Sequence, residues 1–124
     1  MQQVAITNRT RGKLPRLPFL RLAEAILPKN YELSVVIVGD RESRKLNRRH
    51  KGKVANVLSF PLSKNEGELF LNTAEARRGA LAFKMSYPVF ETYLVIHGML
   101  HLKGHRHGST MSQAEKKLLK QFGR

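Results

Sequence analysis

Four of the chain's five histidines fall between His97 and His107, in HGMLHLKGHRH, at the end of a long apolar segment. His97 and His101 are four residues apart, so on a helix they share one face, about 6 Å apart along the axis at roughly 1.5 Å rise per residue. Two imidazoles placed this way can grip one metal ion. Gly104 offers a helix stop, after which the chain can turn back and bring His107 to the same ion as a third ligand, leaving the fourth position open to water. Three neutral imidazoles leave a bound Zn²⁺ with its full double charge, which can lower the pKa of a coordinated water towards about 7 and supply hydroxide for hydrolysis. A structural site would need a fourth protein ligand, for which His105 and Glu91 are the nearby candidates. The plainer alternative is a core role, since a lone histidine on an apolar helix face is more often a satisfied core residue than a ligand. A metalloprotease fits poorly, because Gly98 follows His97 where the HExxH arrangement needs a glutamate as general base. A glycine there lets another backbone or a ligand come close to the helix.

The elements that must position these histidines can be read from pattern and punctuation. Residues 89–102 are apolar on nearly every side, with Ser86 as N-cap and Pro88 in the first turn, so this helix belongs in the middle of the domain. Burial there makes the histidines more telling, because a buried imidazole needs partners for its nitrogens. Residues 31–38, YELSVVIV, read as a buried central strand, and residues 2–7 as a half-buried edge strand. A helix is predicted over 17–27, with Leu17, Leu20, Ala23, Ile26 and Leu27 at helical spacing; Pro15 and Pro18 confine its start and Pro28 ends it. Asp40 reads as the N-cap of a helix over 41–50. Short strands are predicted over 57–60, stopped by Pro61, and over 68–71, with a polar loop at 62–66 between them. Asn72 or Thr73 caps a helix through Lys84, and an amphipathic helix over 112–122, with Leu118, Leu119 and Phe122 on its apolar face, packs over the core with its lysines solvated. The order predicts an α+β fold in one domain spanning 1–124: a small mixed β-sheet packed against helices, with the central helix carrying the histidine site.

Charge narrows the partner. The 23 Lys and Arg stand against 9 Asp and Glu, a formal charge of +14 that is far more than solubility requires and implies a polyanionic partner. Nucleic acid leads, with an anionic membrane surface as rival. No apolar run reaches the roughly 18–20 residues needed to span a bilayer, and the first residues lack a hydrophobic segment followed by a small-residue cleavage site. The expectation is a soluble cytoplasmic protein with no membrane partner. The absence of cysteine leaves nitrogen and oxygen ligands for any metal. Seven of the thirteen residues over 41–53 are Lys or Arg, and Arg41, Arg44, Lys45, Arg48, Arg49 and Lys53 are candidate contacts to RNA phosphates. The alternative for such a run is a solvated helix face.

Two motifs, in order and at similar separation, resemble the YbeY family of bacterial rRNA maturation factors, regarded as zinc-dependent endoribonucleases. HGMLHLKGHRH matches the family pattern HGxLHLxGxDH at every ligand position, and LNRRHKGKVANVLSFP resembles LNxxYRGKDxPTDVLSFP. The resemblance covers the chain from about Val35 to His107. It implies an α+β fold whose central helix carries the metal site, His97, His101 and His107 as ligands to one Zn²⁺ per chain, and His105 at a variable position. It further implies RNA as substrate, processing of ribosomal RNA and ribosome quality control as role, and ribosomal proteins as a further class of partner. Three positions depart from the pattern: Arg106 stands for aspartate, Lys51 for a functionally important arginine, and Glu68 for an aspartate. The stretch between Lys53 and Val57 is also about two residues shorter. Lys51 keeps the charge that steadies a phosphate but lacks the bidentate fork. Arg106 reverses a charge beside a ligand and is available to contact RNA. The reading is a metal-dependent, single-strand-type endoribonuclease. A metal-bearing ribosome-assembly or RNA-binding factor that cuts nothing is the alternative, and a plain basic RNA-binding module with structural histidines is a third.

Overall fold

The computed structural model describes residues 3–48, 51–105 and 108–123. Among these the chain forms, in order, β1 (Gln3–Asn8), α1 (Phe19–Ile26), β2 (Glu32–Val38), α2 (Asp40–Leu46), β3 (Val57–Ser63), β4 (Glu66–Asn72), α3 (Thr73–Ala82), α4 (Tyr87–Lys103) and α5 (Ser109–Phe122). The four strands form one sheet in the order β1-β2-β4-β3. β1 and β4 run parallel to β2, and β3 runs antiparallel to β4. This is the expected mixed sheet. β2 is an inner strand, and its apolar run over 35–38 follows from burial on both faces. Leu33, Val35 and Ile37 join Leu69 and Leu71 in the main core against α1 and α4, while Val36, Val38 and Phe70 form a smaller cluster on the other face. α4 lies across the sheet with Phe90, Val95, Ile96 and Met99 at 0 % exposure, each such burial contributing about 1.5–3 kcal/mol.

Several boundaries differ from the sequence reading, each for a local reason. α1 starts at Phe19 after Pro18, and its buried face is Phe19, Leu22, Ala23 and Ile26, so Leu20 is half exposed rather than core. Asp40 is the first residue of α2, not its cap: Gly39 holds that position, and the Asp40 carboxylate accepts from Asn72 Nδ2 at 2.8 Å and from Arg78 at 2.7 Å. α2 ends at Leu46 instead of reaching His50, because Asn47 caps it and turns its side chain to the Lys53 carbonyl at 3.0 Å. Arg49 and His50 lie outside the described residues. β3 runs through Pro61 to Ser63. The Asn72 N–H donates to the Asn56 carbonyl, which puts even-numbered β3 residues in the ladder and points the backbone of Val57, Ser59 and Pro61 outward. On this free edge a proline removes no ladder bond. α5 begins three residues before the expected Ser112, at Ser109.

One buried acid of α4 lies away from the histidines. Glu91 is 4 % exposed, its Oε2 makes no hydrogen bond among the described residues, and burial pushes its carboxyl above the ordinary range despite the opposing Tyr87 hydroxyl and Arg77. The folded state therefore holds this proton to higher pH than the unfolded chain, so stability falls as pH rises from the ordinary glutamate range through the raised folded value. Glu91→Gln keeps the shape and removes the titration. Thermal unfolding across pH should show the variant gaining on wild type as pH rises; parallel profiles would refute a carboxyl whose burial raises its pKa.

Candidate metal centre

α4 is built to hold one face steady. Ser86 caps its start, accepting from the Val89 N–H at 3.4 Å, and Gly104 ends it in a left-handed conformation at φ 108°. The Gly104 N–H bonds the His101 carbonyl at 3.0 Å and the His105 N–H bonds the Leu100 carbonyl at 2.9 Å, the paired bonds of a glycine-terminated helix. This reversal aims the His105 carbonyl at His101 Nδ1, 3.1 Å away. His105, which the motif leaves variable, thus acts through its backbone. One turn back, His97 Nδ1 meets Glu115 Oε2 of α5 at 2.5 Å.

These contacts dictate where the ring protons sit. A carbonyl only accepts, and so does a carboxylate, so each Nδ1 donates, and a ring that is neutral in that tautomer has an acceptor nitrogen at Nε2. The two Nε2 atoms face one another at 3.2 Å, on rings inclined at 82°. Lone pairs this close repel unless a proton or a metal ion lies between them. Metal–nitrogen bonds of about 2.0–2.1 Å in a tetrahedral zinc site span a ligand–ligand edge of about 3.3 Å. The separation of the two nitrogens matches one ligand–ligand edge of such a site. Among the described residues no group of three metal-ligating side chains is gathered. His107 and Arg106 lie outside the described residues, and Glu91 sits with Tyr87 and Arg77 rather than beside the histidines.

The histidines open into a cleft of about 650 Å³ that wraps the free edge of β3. Asn47 and Arg48 form one wall, Ser59 and its neighbours on β3 another, and no acidic side chain lines it among the described residues. Polar contacts shape the walls. Ser43 Oγ accepts from the Ala55 N–H at 3.2 Å, the Gly52 N–H reaches the Asn47 carbonyl at 3.1 Å, and Ser59 Oγ donates to the Gly98 carbonyl at 2.9 Å. The last bond ties β3 to α4 beside His97. Gly98 explains the close approach: a Cβ there would lie 2.2 Å from Leu69 Cδ1 and 3.0 Å from Ser59 Oγ.

Of the predicted phosphate contacts, Arg48 lines the cleft. Arg41, Arg44, Lys45, Lys51 and Lys53 are exposed outside its lining, with Lys51 and Gly52 in a left-handed turn at φ 55° and 69°. Arg49 is outside the described residues. Sequence reasoning missed Asn47, Ser59 and Glu115. For Glu115 a signal existed: it falls in the stripe of Met111, Ala114, Leu118, Leu119 and Phe122, where an unpaired carboxylate would be penalised.

Comparison with known proteins bears on this arrangement. The model of the family described as Endoribonuclease YbeY matches residues 6–123. The chain is 32% identical over 117 residues to the Endoribonuclease YbeY of Lacticaseibacillus casei, covering 78% of this chain and 77% of that protein. It is 36% identical over 121 residues to that of Geobacter metallireducens, covering 85% and 81%. The solution structure of TM1509 from Thermotoga maritima superposes with a TM-score of 0.66 at 24% identity, over 95% of this chain and 87% of that one, and supports the fold.

Proposed function

The chain belongs to the Endoribonuclease YbeY family, and from that premise we propose that it hydrolyses RNA phosphodiester bonds in the cleft beside His97 and His101. The observation that carries this reading is the convergence of the two Nε2 atoms at 3.2 Å on a cleft that no acidic side chain lines among the described residues. His97, His101 and His107 would hold one Zn²⁺. That ion, when bound, supplies a Lewis acid able to acidify water and polarise a phosphoryl oxygen.

The chain's own residues do the rest. Arg48 offers a planar fork to the phosphate, and Asn47 holds the loop that presents it. Lys51, on the neighbouring turn, contributes a point charge. Arg41, Arg44, Lys45 and Lys53, with Arg49 and Arg106, attract and track the flanking phosphates and displace their counterions. The open edge of β3 along the cleft suits single-stranded RNA. Ribosomal RNA is the proposed substrate, in maturation and quality control of ribosomes, with ribosomal proteins as further partners and the cytoplasm as the setting. Among the described residues no helix is long and apolar enough to cross a membrane.

The test is cleavage of single-stranded and precursor rRNA with and without chelator. Wild-type protein should cut, lose activity on metal removal and regain it with Zn²⁺. Cleavage indifferent to chelation would contradict the reading. Tight binding without turnover would favour a non-cutting assembly factor, for which the exposed position of Lys51 outside the cleft lining is the supporting observation.

A further inference from the structure

We propose that Glu115 is the positioning residue of the metal centre, fixing His97 in the tautomer that can bind the ion. The proposal rests on the reading of His97 and His101 as metal ligands.

Glu115 is 8 % exposed and lies on the apolar stripe of α5, among side chains that offer its carboxylate nothing. A carboxylate is tolerated there only with a partner, and the partner is His97 Nδ1, at 2.5 Å. A contact of this length between a ring N–H and a carboxylate is a charge-assisted hydrogen bond. It has two consequences. A neutral imidazole in water favours the proton on Nε2, which would turn an N–H towards His101 and block the shared position. The carboxylate reverses that preference by drawing the proton to Nδ1. Its charge also makes the ring a stronger donor to a cation, as carboxylates behind metal-bound histidines do.

The two histidines are held by different means. His101 depends on the glycine-terminated end of its own helix, through the neutral His105 carbonyl at 3.1 Å. His97 depends on a second helix, through an anion. α5 thereby becomes part of the site instead of a cover for the core, and its packing on α4 sets the angle of the His97 ring, which Tyr93 flanks at 6.1 Å between centroids.

The test uses the full chain as wild type, Glu115→Gln, Glu115→Ala and His101→Ala. Zn²⁺ affinity is measured by competition with a chromogenic chelator, and the His97 tautomer by ring ¹⁵N shifts in the metal-free protein in alkaline buffer. Glu115→Ala should bind Zn²⁺ about 10–100-fold more weakly and move the His97 proton to Nε2. Glu115→Gln retains an acceptor oxygen and should fall between alanine and wild type. Should the alanine variant fail to fold, the isosteric glutamine variant carries the test: affinity and tautomer equal to wild type would overturn the proposal. Wild type binding Zn²⁺ no better than His101→Ala would instead overturn the metal reading. The tautomer shift in metal-free protein separates the two failures, because it reports Glu115 alone.

Discussion

His101→Ala is expected to lower the rate of RNA cleavage by about 10³-fold while leaving the chain folded. The ion that the histidines would hold is credited with several kcal/mol of transition-state stabilisation, and about 4 kcal/mol corresponds to about three decades in rate. His101 contributes one of the two converging Nε2 atoms and is only half buried, at the last turn of α4. Its removal takes away one of the two converging nitrogens and vacates little core. Its Nδ1 partner, the His105 carbonyl, belongs to a turn already closed by its own backbone bonds to Leu100 and His101. Initial rates on a labelled RNA, beside circular dichroism and thermal unfolding of the same preparations, check both halves. Equal rates for variant and wild type would point to a contaminating nuclease and remove the histidines from the reaction.

Gly98→Ala should do the opposite, leaving both ligands present and weakening the fold that holds them. The added Cβ would meet Leu69 Cδ1 at 2.2 Å and Val57 Cγ2 at 3.3 Å. Leu69 is at 0 % exposure in β4, hemmed in by the main core, so it has little room to turn away. Overpacking of this kind costs about 1–3 kcal/mol. The strain also falls on the bond from Ser59 to the Gly98 carbonyl, which places β3 against His97. Denaturant unfolding should show the loss, and cleavage should drop with it as the cleft wall shifts. Gly39→Ala, where a Cβ meets nothing within 4 Å, is the matched control. A Gly98 variant as stable as that control would mean the helix and sheet are not in close contact.

Much of this arrangement could be read before any coordinates. The i, i+4 histidines, Ser86 and Pro88 at one end of α4 and Gly104 at the other are local signals, and each acts through residues within a turn or two. The buried strand β2 announces itself by its β-branched apolar run over 35–38. What escaped depends on contacts between distant segments. Glu115 falls in the apolar stripe of α5, but the partner that makes its burial tolerable is 18 residues away on another helix. Asn47 ends α2 early by reaching forward to Lys53, a contact no helix propensity encodes. Pro61 reads as a stop for β3 until the strand is known to lie at the sheet edge with that residue's backbone facing out. Leu20 fits a helical stripe as well as Leu22 does, and only packing against the sheet chose between them. Among the cations, composition could not separate Arg48, which lines the cleft, from Lys51, which does not.

The central claim is that the converging histidines hold a metal ion on which RNA cleavage depends. Elemental analysis of the purified chain, loaded with Zn²⁺ and then freed of loosely bound ions, tests it most directly when wild type and His101→Ala are measured together. About one Zn²⁺ per wild-type chain is expected, with most of it lost in the variant. A wild-type chain that retains no transition metal, or a variant that retains as much as wild type, would contradict the claim.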